Sequence, residues 1–344
     1  MALRRTALVL GAGGVLGAAW MTGALPAVHE RLGQLPGDVD LVIGTSAGSV
    51  LAAALRCGVS IDEMIALQRG EPVGALAEID DLSGGPWPRP PRLRFGSPRL
   101  MASAIMAPHR VHPTVHASAW LPVGRESHAA LHAMVQLLHS GVPCLRAPHW
   151  VDRKTWVVAV DYDTGRRVVF GRPGAPPVSL ADAVVASCSV PGWFAPVEIG
   201  GRRYVDGGVR SATSLGLVAG EGVEEVWVLA PMASLTADLP WAPHRRLERR
   251  VRSLFTYALM REVRALRASG WLRRPDEKIA RRAGQPRPDW PGAACFRSAD
   301  AERRRHRAQC PHRGGCRPPP GRRGRGDRAA VWLVAPALDR AERP

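Results

Sequence analysis

The sequence predicts an α/β fold: three layers, α/β/α, around a central, mostly parallel sheet. Two observations carry that expectation. Apolar runs with strand character at residues 6–10, 39–43, 155–160 and 226–230 alternate with helix-like stretches, the order of strands covered by helices. Two of these runs lead straight into a glycine-rich turn and then a helix-forming stretch, a unit that gathers ligands at the carboxyl edge of a sheet. The chain of 344 residues allows one such domain, 1–270, followed by a basic segment, 271–344.

The first run, Thr6-Ala7-Leu8-Val9-Leu10, opens into Gly11-Ala12-Gly13-Gly14-Val15-Leu16-Gly17. A dinucleotide fingerprint, Gly-x-Gly-x-x-Gly, competes for this turn. Counted from Gly11, its last glycine falls on Leu16, and Glu30 and Asp38 straddle the place of its acidic residue. Nucleotide binding is the weaker reading. Arg4 and Arg5 ahead of an apolar stretch to Val28 also imitate a signal peptide, but Gly11, Gly13, Gly14 and Gly17 interrupt it. No unbroken run of about eighteen apolar residues is there to span a membrane. Cys57, Cys144 and Cys188 lack the spacing of a disulfide framework, so a cytoplasmic setting is expected.

The second run, Val39-Asp40-Leu41-Val42-Ile43, opens into Gly44-Thr45-Ser46-Ala47-Gly48. Gly-x-Ser-x-Gly between a strand and a helix lifts a serine hydroxyl out of the backbone at a sharp bend. Small neighbours let the chain make that bend, and amides at the helix start point toward any oxyanion formed there. In a glycine-rich chain the same five residues also serve as a plain strand-to-helix turn. The context favours the elbow: Ala47–Arg56 is made of good helix formers, and Gly58 stands just past its end.

Residues 84–150 read as an insertion, either a helix on the core or a lid. Gly84-Gly85-Pro86-Trp87-Pro88-Arg89-Pro90-Pro91 is a stiff linker. Leu131, Met134, Val135 and Leu138 then make one apolar helix face, better explained by packing on the core than by a mobile lid touching lipid. His128 and His132 are four apart, but no glutamate lies between them, so a zinc-protease helix is not expected.

The third motif is Tyr204-Val205-Asp206-Gly207-Gly208, after Ala186-Ser187-Cys188-Ser189-Val190-Pro191-Gly192. Alone it reads as a hairpin turn, because Asp-Gly is a common turn pair. With the two earlier turns, in this order, the chain resembles the patatin-like phospholipase family over roughly residues 5–235. The resemblance implies a patatin-like sandwich in which Ser46 is the nucleophile and Asp206 the general base, without histidine. It also implies oxyanion donors at Gly13, Gly14 and Val15, with Gly11, Gly17, Gly44, Gly48, Gly207 and Gly208 as motif glycines. The chemistry is coherent: serine needs a positioned base, and burial can raise a carboxylate toward that task. No cofactor or metal is called for. The resemblance implies a lipid or other ester as substrate and allows peripheral membrane contact. Two positions depart from the family's pattern. Leu16 stands where many members carry a basic residue, and Ala12 replaces a glycine, so the loop keeps its amides but has no charge for an anionic head group.

An α/β-hydrolase triad of Ser46, Asp206 and His244 is the alternative enzyme, but that fold places several strands before its serine. Residues 271–344 hold 19 basic and 8 acidic residues of a chain with 47 and 30, and gather Cys295, Cys310 and Cys316. Three readings compete for this segment. It is a disordered arm for nucleic acid or acidic lipid, a zinc site lacking paired Cys-x-x-Cys spacing, or a stretch translated out of frame. A shifted frame in a GC-rich gene accounts best for stray Cys and Trp among Arg, Pro and Gly. No specific nucleic acid is expected. A non-catalytic scaffold that keeps only a basic binding arm is the competing class.

Overall fold

Five buried residues, Thr6–Leu10, form β1 in the middle of the sheet, parallel to β2 (Leu41–Thr45) with Leu10 opposite Gly44. The structure, a computed structural model, describes residues 4–71, 73, 91–140, 150–233, 243–271 and 330–334. Most of the 84–91 linker, Cys144, Cys295, Cys310 and Cys316 lie outside the described residues.

After β1 comes α1 (Gly14–Leu32), and after β2 come α2 (Ala47–Arg56) and α3 (Ile61–Gln68). A small antiparallel pair, β3 (Arg92–Phe95) and β4 (Pro122–Val123), brackets α4 (Pro98–Met106) and α5 (Pro113–Ala119). Then follow α6 (Ala129–Ser140), β5 (Thr155–Asp161), β6 (Arg167–Phe170), α7 (Leu180–Ser187), β7 (Val197–Ile199) and β8 (Arg202–Asp206). The last elements are β9 (Glu225–Leu229), α8 (Pro243–Ala268) and β10 (Ala330–Val334). The sheet order is β10-β9-β1-β2-β5-β8-β7, with β6 also on β5. Pairings from β10 to β5 are parallel, and those of β6, β7 and β8 are antiparallel.

The three layers follow from alternation along the strands. Ala7 and Val9 face a core with Leu259, Val263 and Leu266 of α8. Leu8 and Leu10 face the other way, onto Met21, Leu25 and Val28 of α1 and Leu51 and Leu55 of α2. Strands buried on both faces need continuous apolar runs, which is why β1 and β2 look so hydrophobic in the sequence. Met134 and Val135 of α6 pack with α7 and β5, so the expected apolar stripe does meet the core. Among the described residues no helix is long and apolar enough to cross a membrane.

Three expectations need adjusting. The second strand runs 41–45 rather than 39–43, because Pro36–Asp38 turns and the Asp40 carboxylate accepts the Thr6 amide at 2.7 Å. The sequence from Leu247 through Val251, Leu254 and Phe255 to Ala258 reads as an apolar helix stripe, but in α8 Val251, Leu254 and Ala258 face solvent. The helix is instead held by Leu259, Val263 and Leu266, nearer its carboxyl end. Third, no strand was expected beyond residue 270. Yet Val331-Trp332-Leu333 pairs with Val226-Trp227-Val228, and the Trp332 ring stacks on Trp227 at 5.4 Å. A short apolar run escapes notice when it sits in a stretch dominated by arginine.

Candidate active site

Ser46 links β2 to α2 with φ 53° and ψ −125°. A non-glycine residue there is strained and persists only where its surroundings over-determine it. The restraints are visible. The Ser46 amide donates to Ser187 Oγ at 2.8 Å, and the Ser46 carbonyl accepts from the Ser49 amide (2.7 Å) and Ser49 Oγ (2.6 Å). Close approach explains the two elbow glycines. A Cβ on Gly44 would stand 2.5 Å from Ser49 Cα, and one on Gly48 would stand 2.0 Å from the Leu10 carbonyl oxygen.

Ser187 is the residue that reading the sequence missed. Its hydroxyl donates to the Val158 carbonyl of β5 at 2.7 Å while accepting the Ser46 amide. It therefore bolts the elbow to the neighbouring strand from the end of α7. The only local sign is a serine in an Ala-Ser-Cys-Ser-Val-Pro run, and its partner is 141 residues away. Ser187→Ala should leave the buried Ser46 amide without its Ser187 partner and lower stability by about 2–3 kcal/mol. The check is a lower urea midpoint at unchanged slope, together with a reduced kcat as the elbow loosens.

Asp206 ends β8, and its amide donates to the Ser189 carbonyl at 2.9 Å. Its carboxylate is buried and accepts the Gly208 amide at 2.6 Å, with the Ser46 hydroxyl in its neighbourhood. Burial pushes its pKa from 3.8 up to about 6, and the Ser46 hydroxyl and the Gly208 amide only partly offset that rise. Cys188 joins the cluster through Ser46 and through Ser49 Oγ at 3.8 Å. Burial, with the Asp206 charge beside it, pushes this thiol up to about 12, so it stays protonated at neutral pH.

The glycine loop lies against both motifs. A Cβ on Gly207 would stand 2.4 Å from the Val158 carbonyl oxygen, and one on Gly208 would stand 3.1 Å from Ala12 Cβ. The Gly11 amide donates to the Leu229 carbonyl (2.9 Å) and the Ala12 amide to the Ala212 carbonyl (2.7 Å), which fixes the loop to β9 and to the segment after Asp206. Gly13 caps α1, and Gly14 takes φ +59°. The Gly17 amide makes the bond to Gly13 (2.9 Å), so those of Gly14, Val15 and Leu16 lie in the unpaired first turn at the positive end of the helix dipole.

The histidines go elsewhere. His128 Nε2 meets Ser189 Oγ at 3.3 Å, its ring lies 4.1 Å from that of Phe194, and burial lowers its pKa to about 4. His132 pairs with Asp182 at 3.1 Å. The His244 side chain lies outside the described residues. What the cluster offers chemically is an alcohol near a buried carboxylate of raised proton affinity, on a turn packed against a helix start whose amides favour negative charge.

Residues 8–218 match the profile of a family described as patatin-like phospholipase. Similar solved structures include VipD from Legionella pneumophila, 17% identical over 72% of this chain and 52% of that one, with a TM-score of 0.37. Another is full-length SpcU in complex with full-length ExoU from the type III secretion system of Pseudomonas aeruginosa. It is 14% identical over 76% of this chain and 52% of that chain, with a TM-score of 0.30. The chain spans about half the length of each of these structures.

Proposed function

The chain belongs to the patatin-like phospholipase family, and from that premise we propose that it is a serine acyl hydrolase cleaving lipid or phospholipid esters. Ser46 Oγ attacks the ester carbonyl carbon while the Asp206 carboxylate takes the hydroxyl proton. The tetrahedral oxyanion faces the amides of Gly13, Gly14 and Val15 at the head of α1. Collapse breaks the ester C–O bond, and the leaving alcohol takes the proton from Asp206. Water, deprotonated in turn by Asp206, attacks the acyl carbon, the bond to Ser46 Oγ breaks to free the acid, and Oγ takes the proton back from Asp206. No cofactor enters any step. The catalytic domain in this reading is 1–270 with β10 (Ala330–Val334) added to its sheet, in a cytoplasmic setting to which the free thiols Cys57 and Cys188 are suited.

One observation carries the proposal: the buried Asp206 carboxylate, held by the Gly208 amide, lies near the strained elbow serine Ser46, in a setting whose burial raises its pKa to about 6. A base must be ionised in the free enzyme, so kcat/KM should climb tenfold per pH unit below about 6 and level off above it. A profile flat across that range would argue against Asp206 as the base. The direct test is labelling of the full, folded chain with a fluorophosphonate, followed by mass spectrometry of its peptides. An adduct on Ser46 supports the hydrolase. A folded chain that takes no label favours the alternative, a non-catalytic scaffold whose basic segment binds nucleic acid or anionic lipid.

A further inference from the structure

Exposed apolar side chains stand on two segments that adjoin the site residues in sequence. Val15 and Leu16 lie in the glycine loop, at the head of α1. On the other rim, Val190 and Trp193 follow Cys188 within a few residues, and the patch extends in space to Leu121, Trp120 and Phe95. These seven residues are 44 to 85% exposed. The second rim is continuous: a Cβ at Gly192 would stand 3.7 Å from Leu121, and the Phe95 and Trp120 rings meet edge to face at 6.2 Å. It is also held in place. The backbone of Gly124 lies against the Trp193 carbonyl, which accepts the Glu126 amide at 3.3 Å. Large apolar groups grouped this way on a surface mark a place where something apolar docks.

Charge identifies the partner. Residues 91–125, which supply Phe95, Trp120 and Leu121, contain five arginines and no aspartate or glutamate. Arg92, Arg94, Arg99, Arg110 and Arg125 are all exposed, and among the described residues none forms an ion pair. Tryptophans suit the level of lipid head groups, aliphatic tips reach just below it, and arginines are drawn to anionic lipid. We infer that the chain docks the mouth of its site onto an anionic lipid bilayer, seating Trp120, Trp193, Val190, Val15 and Leu16 in the interface with the 91–125 arginines around them. This deepens the hydrolase reading and rests on it for its purpose, since ester substrate drawn from that bilayer would enter between the two rims. Leu16 then serves at the surface where a charged residue of the loop would have met a single head group.

The test uses the full chain carrying Ser46→Ala, so that lipolysis does not alter the vesicles. Sedimentation is measured with vesicles of phosphatidylcholine alone and of phosphatidylcholine mixed with phosphatidylglycerol. Binding should require phosphatidylglycerol and weaken with salt. Adding Trp120→Ala with Trp193→Ala, or separately Arg92→Glu, Arg94→Glu and Arg99→Glu, should each lower the partition coefficient about tenfold or more. Circular dichroism confirms that each variant is folded. Equal binding to both vesicle types, or variants that bind as their parent does, would overturn the inference and leave any lipid affinity to the basic segment 271–344. Fluorophosphonate labelling of the unaltered chain is read separately. A labelled Ser46 without vesicle binding rejects the docking face alone, and vesicle binding without label rejects the hydrolase alone.

Discussion

Asp206→Asn should lower kcat for ester hydrolysis by roughly 10³–10⁴-fold. The amide keeps the shape of the side chain and can still accept the Gly208 amide, but it cannot take a proton from Ser46. Ser46→Ala should cost at least as much. Combining the two should cost little more than the worse of them, since groups acting as one unit are not additive. Additive losses would mean that serine and carboxylate work independently, against the proposed dyad.

The same substitution makes a second, opposite prediction about stability. The unfolded carboxyl titrates near 3.8 and the folded one at about 6. Below the lower value both states are neutral and burial carries no ionic penalty. Above the higher value the folded state holds an ion that the unfolded chain would hydrate better. Native stability is therefore lost as pH rises through about 6, by on the order of 3 kcal/mol for this group. Asp206→Asn should raise the urea midpoint at about pH 8 and do little near pH 3. A purely structural aspartate, bonded for stability, would give the reverse sign. Loss of turnover with gain of stability is the signature of a carboxylate kept for its chemistry.

How much of this was legible beforehand depended on range. Gly44, Gly48 and Ser46 obey local rules of a strand–turn–helix bend, so the sequence names them and the structure places the serine at φ 53°. Asp206 was legible only in combination, because Asp-Gly-Gly alone is a turn signal. Ser187 and Cys188 were not legible as neighbours of Ser46. Their contacts span about 140 residues, and nothing in the adjoining sequence marks the partner. The register of α8 failed for a related reason: Val251, Leu254 and Leu259 are all apolar, and only packing against the sheet decides which side turns inward.

Gly48→Ala should be among the most damaging single methyls at the described glycines. Its Cβ would lie 2.0 Å from the Leu10 carbonyl oxygen, 2.4 Å from that carbon and 2.9 Å from the Gly11 oxygen. All three atoms are backbone at the end of a fully buried strand, so no side chain can swing aside. Relief requires α2 to move off β1, which opens the packing of Leu8 and Leu10 on Leu51 and Leu55. A loss of about 3 kcal/mol or more is expected. Gly23→Ala provides the contrast. Gly23 is exposed within α1, and nothing lies within 4 Å of an added methyl. There alanine should add about 0.5–1 kcal/mol from helix propensity. Urea melts of both variants separate crowding from propensity, because the substitution is the same and the helices belong to the same layer. If Gly48→Ala melts like the parent, the close seating of the elbow on the glycine loop is wrong. The proposed oxyanion site, which depends on this contact, would fall with it. If it unfolds early while Gly23→Ala gains, the close contact of Gly48 with the Leu10 and Gly11 carbonyls is what seats the elbow on the glycine loop.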